Sequence, residues 1–140
     1  MHNILILLLY VLGPGFNSSK IIITEKNNLD GKWVPIKLEI NGNALPDSAF
    51  KNQQLIISDS TYIFKAESID KGILKFTEDK IDIYGKEGVN AGRHFTAIYK
   101  MENELLTICY NLKGDQYPEA FETKGKPSYF LAVFKKEETK

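Results

Sequence analysis

The sequence predicts an all-β fold: an antiparallel up-and-down barrel of about eight strands, with one short helix after the first strand. Three observations carry this. Short runs of alternating apolar and polar residues recur at even spacing from Lys32 to Lys135. Most are joined by hairpin-type turns, with no crossover of the length a parallel sheet needs. Aromatic residues make up 11% of the chain, which suits a β-rich core.

The first strand spans about Lys32 to Ile40. Val34, Ile36, Leu38 and Ile40 alternate with Lys37 and Glu39, giving one dry and one wet face. Trp33, the only tryptophan, falls out of phase with that set. Pro35 lacks an N–H and is tolerated at an edge or bulge, and a bulge near Val34-Pro35 turns Trp33 inward too. Asn41-Gly42 is a tight-turn signal. Pro46 to Asn52 reads as a short helix that Phe50 anchors on the barrel.

Strands follow at about Gln54–Ser58 and Thr61–Glu67, joined by Asp59-Ser60. Asp70-Lys71-Gly72 reads as the next turn, before a strand carrying Leu74 and Phe76. Glu78-Asp79-Lys80 turns into a strand with Ile81 and Ile83. Gly85 to Gly92 is a glycine-rich loop without the Gly-Lys-Ser/Thr ending or the following helix of a phosphate cradle. The remaining strands are about Arg93–Lys100, Leu105–Tyr110 and Ser128–Lys135. Between the last two lies a polar loop, Asn111 to Pro127. The run Tyr129 to Phe134 is continuously apolar, so both of its faces should be covered.

The chain has 140 residues, one domain's worth, with 18 basic and 18 acidic side chains. Zero net charge argues against nucleic acid as a partner, because phosphate binding needs a basic face. Ile4 to Leu12 is an apolar run of signal-peptide length, too short to span a bilayer as a helix, and Gly13-Pro14-Gly15 breaks it. Residues 1–19 are therefore expected to be an export signal, cleaved or retained as an anchor, and residues 20–140 the barrel domain. That makes the protein secreted or periplasmic, with no stable membrane span in the mature chain.

Gly31-Lys32-Trp33 resembles the Gly-x-Trp signature that opens the first strand of lipocalins. With Leu29-Asp30 before it, Leu45-Pro46, Ala97-Ile98-Tyr99 and Leu106-Thr107-Ile108-Cys109-Tyr110, the chain resembles short bacterial lipocalin-like domains of unknown function. Pro118 and Phe121 resemble that family's Arg-Pro-x-x-Phe element, with Tyr117 in the arginine's place. The resemblance covers nearly all of the mature chain. It implies a calycin-type barrel closed by Gly31 and Trp33. In larger lipocalins an arginine of the last strand packs on the tryptophan, and here Lys135 or Lys136 stands in its place.

Little in the sequence points to catalysis. His94 is the only histidine after His2, which excludes a multi-histidine zinc site, and nothing near it resembles a nucleophile elbow. Cys109 is the only cysteine and reads as a packing residue. The expectation is a non-enzymatic protein without a cofactor. Ile36, Leu38, Tyr62, Phe64, Phe76, Phe95, Tyr99, Ile108 and Tyr110 form the expected inward set. An eight-stranded barrel is just wide enough to be filled by side chains or to hold one small ligand. These residues are therefore either a filled core or the lining of an apolar site with tyrosine hydroxyls as polar handles. The corresponding functions are a carrier of a small hydrophobic ligand and a solid module that meets a protein partner, in either case a monomer.

Overall fold

A computed structural model describes residues 29–138. The expected signal peptide and the lead-in to Asn28 lie outside the described residues. The unit that begins at Gly31 is an antiparallel sheet in the order β2-β1-β3-β4-β5-β6-β7-β8-β9, closed by pairing of β1 with β9. The strands are β1 (Gly31–Ile40), β2 (Asn43–Ala44), β3 (Gln54–Ser58), β4 (Thr61–Lys65), β5 (Ile69–Thr77), β6 (Lys80–Glu87), β7 (His94–Glu102), β8 (Leu105–Asn111) and β9 (Tyr129–Lys136). The two-residue β2 folds back on the end of β1 through Asn41-Gly42, both at positive φ. The other eight strands form an up-and-down barrel, which leaves few unpaired edges. Among the described residues no helix is long and apolar enough to cross a membrane.

The expected helix is a single 3-10 turn, Asp47–Ala49, followed by a buried Phe50. Two-residue turns at Asp59-Ser60, Glu78-Asp79 and Asn103-Glu104 join β3–β4, β5–β6 and β7–β8. Positive φ at Asp59, Glu78, Asn103 and Glu104 gives these turns the backbone that twisted hairpins require. Strict up-and-down order puts these three turns at one end of the barrel, with the start of β1 and the end of β9. The longer connections 41–53, 66–68, 88–93 and 112–128 all lie at the other end.

Two sequence expectations need correction. The bulge in β1 falls at Ile36, one residue later than expected: Pro35 pairs with Phe134 and Lys37 with Val133, leaving Ile36 without a partner in the register. The extra residue resets the alternation, so Trp33 and Pro35 are buried before it and Leu38 after it, while Ile36 is 43% exposed. Asp70-Lys71-Gly72 is not a turn. It lies inside β5, where Asp70 pairs with Phe64 and Gly72 with Tyr62, and the chain reverses at 66–68 instead. Gly72 is needed for close approach rather than reversal, since a Cβ there would sit 2.6 Å from Tyr62 Cε1.

The last strand is covered on both faces, as its apolar run implies. Ala132 and Phe134 face the interior with Leu38 and Pro35. On the outer face, Tyr129 and Leu131 pack with Ile98 and Cys109 beneath Tyr117 and Phe121 of the 112–128 loop. That loop is fixed by polar contacts. Thr123 donates to Glu39 at 2.8 Å and accepts from the Gly42 N–H at 2.8 Å. Thr96 donates to the Gln116 carbonyl at 2.6 Å. Buried Asn111 donates to Asp115 and to the Gln116 carbonyl at 2.8 and 2.9 Å.

Candidate functional site: the barrel interior

At the end carrying the short turns, the region around Trp33 is sealed. Trp33, Leu106 and Phe134 expose 1%, 0% and 2% of their surface. Lys136, paired with Trp33, holds its Nζ 5.5 Å from the indole centroid, so its cation meets the ring face. Gly31 makes this possible. Its φ is +141°, and a Cβ there would lie 2.5 Å from Lys136 Cε. Gly31, Trp33 and Lys136 thus come together as the barrel floor. Lys135 does not join them: it pairs with Val34 on the other phase of β9, facing outward.

Of the nine residues expected to line the interior, eight fall on the inward phase of their strands. Leu38, Tyr62, Phe95 and Ile108 are buried there. Phe64, Phe76, Tyr99 and Tyr110 also point inward but keep intermediate exposure. Ile36 is the exception, displaced to the surface by the bulge. Tyr99 stands apart in another way. Its hydroxyl donates to the Glu78 carbonyl in the β5–β6 turn at 3.1 Å, and its ring meets Phe76 edge-on at 5.7 Å, so it belongs to the turn-bearing end.

One inward row runs obliquely across the barrel through Ile81, Ala97, Tyr110, Phe130 and Ile40 on β6, β7, β8, β9 and β1, from beside the Glu78-Asp79 turn to the long-loop end, and its cover thins along the way. Ile81 and Ala97 are buried, Tyr110 and Phe130 are half-buried with their rings 5.8 Å apart, and Ile40 is 41% exposed. Burial holds the Tyr110 hydroxyl well above its usual range, with a smaller contribution from Tyr62. Among the described residues neither the Tyr62 nor the Tyr110 hydroxyl has a hydrogen-bond partner, yet no side-chain polar atom cut off from solvent lacks one. Both hydroxyl oxygens therefore keep some solvent-accessible surface.

Sequence reasoning missed Asp70, Phe130 and Ile40. Asp70 is buried on the inward phase of β5 and accepts a hydrogen bond from the Asn90 N–H at 3.2 Å. The signal for it was present, since stepping back by twos from Phe76 and Leu74 reaches Gly72 and Asp70. Turn-forming residue types masked that phase.

Outside the barrel, Asp82 accepts from both His94 Nε2 at 2.7 Å and the Tyr117 hydroxyl, and His94 stacks on Tyr84 at 4.7 Å. The hydrogen bond to Asp82 is the main cause that raises the Tyr117 hydroxyl above its ordinary value. No cysteine, serine or threonine takes part in these contacts, which instead tie the 112–128 loop to β6 and β7. Cys109 is fully buried under the same loop, and burial pushes its thiol up to about 11. Among the described residues no three His, Cys, Asp or Glu side chains are placed to hold a metal ion. No family model, curated protein or solved structure matches the chain.

Proposed function

We propose that this protein is an exported, non-catalytic carrier, similar to short bacterial lipocalin-like domains, that takes a small apolar ligand into its interior through the long-loop end. The observation that carries the reading is the contrast in cover between the Trp33 floor and the inward rings toward the long-loop end on the β8–β9–β1 side. The floor around Trp33 is sealed, while Phe64, Tyr110 and Phe130 point inward and keep exposed surface. Apolar rings with two unpartnered hydroxyls are the usual make-up of a small-molecule site. Packing supplies most of the affinity, so binding should be about micromolar.

The test is titration of a neutral apolar fluorophore, N-phenyl-1-naphthylamine, against wild type and Tyr110→Trp. The wild type should enhance its fluorescence and saturate, and the larger ring should weaken binding. A folded wild type that gives no enhancement overturns the carrier. Ile69, Ile73 and Val89 are exposed on β5 and the loop after β6, and they support a second reading in which a solid barrel meets a protein partner. Export is tested separately. The mature N-terminus should fall between Gly15 and Lys20, and a cytosolic chain still beginning at Met1 excludes it.

A further inference from the structure

We propose that the ligand carries a cationic, hydrogen-bond-donating end of the alkylammonium class, seated between the Asp70 carboxylate and the Tyr62 hydroxyl. The proposal rests on the carrier reading and specifies its ligand. The sequence leads one to expect an interior without charged groups, and Asp70 breaks that expectation.

Asp70 is 6% exposed, and among the described residues it forms no ion pair. A carboxylate this far from water is costly unless a cation or several donors meet it. The protein supplies one donor, the Asn90 N–H on Oδ1. Oδ2 is left to whatever enters. Tyr62, one strand away, is 7% exposed, and its hydroxyl also lacks a partner among the described residues. The two groups make no hydrogen bond to each other, yet they sense one another: after burial, the charge of Asp70 is what raises the Tyr62 hydroxyl above its usual range. They stand close but apart, both facing the interior.

A group with several N–H donors and a positive charge satisfies both at once. It donates to Oδ2 of Asp70 and to the lone pairs of the Tyr62 oxygen, and neutralises the buried charge. Phe64 is the register partner of Asp70 on β4, on the same inward phase. An alcohol brings a single donor and no charge. A carboxylate is repelled. The alkyl chain then lies among the inward rings that the carrier reading already assigns to it.

Asp70 also has a structural duty, since Oδ1 holds the 88–93 loop through Asn90. An asparagine can keep that acceptor on Oδ1 while replacing the charge and the Oδ2 acceptor by an NH2 donor, so Asp70→Asn separates the two roles. The experiment is calorimetric titration of the full chain and of Asp70→Asn with n-octylammonium, n-octanol and octanoate at neutral pH. In wild type the ammonium should bind about tenfold or more tighter than the alcohol, with octanoate weakest. In Asp70→Asn the ammonium and the alcohol should fall within about twofold of each other, with N-phenyl-1-naphthylamine still bound. If Asp70→Asn does not fold, Tyr62→Phe takes its place. It keeps the ring, and should weaken ammonium binding about threefold while leaving octanol unchanged. An ammonium no tighter than the alcohol, or a preference that survives the charge removal, overturns the ammonium assignment while the carrier stands on octanol and naphthylamine binding. Failure of every probe overturns both.

Discussion

The two ends of this barrel are made from the same strands and similar residues, yet they are packed differently. On the β1–β9 side of the short-turn end the aromatic is a buried indole, with buried Leu106 and Phe134 at the same end and a lysine on its face. At the other end Tyr110, Phe130 and Ile40 hold equivalent inward positions but are progressively uncovered. The contrast belongs to the side of the barrel where β1 meets β9, and turn length alone does not set it. Beside the two-residue turns Phe76 and Tyr99 are half-buried and Met101, on the inward phase of β7, is 39% exposed, while Phe95 at the long-loop end of the same strand is 8% exposed.

The sharpest way to break the contrast is Trp33→Ala. A fully buried large side chain at the sealed end should cost about 3–5 kcal/mol. The same truncation at half-buried Phe130 should cost well under half of that. Chemical denaturation of both variants measures it, and equal losses would mean that the two ends are packed alike. Gly31→Ala comes next. Its backbone lies at positive φ and the new methyl meets the Lys136 stem, so a loss of about 1–3 kcal/mol is expected. Pairing it with Lys136→Ala, which removes the stem, should recover part of the loss and leave the backbone strain.

The all-β class, most strands and reversals such as Asp59-Ser60 were legible in the sequence because they depend on local pattern. Alternation gives strand phase, and turn residue types give reversals. What failed were features decided by distant partners. The bulge at Ile36 is set by how β1 meets β9, about a hundred residues on, and a one-residue slip moves a side chain from the interior to the surface. Asp70-Lys71-Gly72 has turn composition, but the Tyr62 ring needs Gly72 for room and the 88–93 loop needs Asp70 as an acceptor. The bonds of Tyr117 and His94 to Asp82 join residues 12 to 35 positions apart, with no periodic signal to announce them.

The outer cluster under the 112–128 loop is as dry as the floor, and pH tests it. Cys109 has an ordinary thiol value of 9.0 and is pushed up to about 11 by burial. Between those values the unfolded chain ionises while the folded chain stays neutral, so the unfolded state binds fewer protons. Stability is therefore complete below about pH 9 and declines as pH rises toward 11, by about 3 kcal/mol at most. Tyr62 and Tyr110, both raised by burial, act in the same direction above their ordinary value of 10.0. Denaturation at a series of alkaline pH values should show the decline, and Cys109→Ala should flatten its part between 9 and 11. An unchanged slope in that variant would mean that water reaches the thiol.

The smallest expected change in stability is also the most informative about the open end. Ile40 ends the inward row of Tyr110 and Phe130 and is 41% exposed. Ile40→Ser loses the covered part of the side chain and leaves the pairing with Phe130 and Asn43 to the backbone. Its cost should be about 1 kcal/mol, well below that of Trp33→Ala. Yet the side chain stands where an apolar ligand would enter, and a hydroxyl there withdraws apolar contact from the bound chain. The expected result is that small loss in denaturation with N-phenyl-1-naphthylamine binding weakened about threefold or more. Val34→Ser is the control. Val34 is half-buried on the outer phase of β1, and its change should leave the probe alone. If Ile40→Ser and Val34→Ser change binding equally, the probe is not entering by the long-loop end, and the difference between the two ends has no bearing on what the barrel holds.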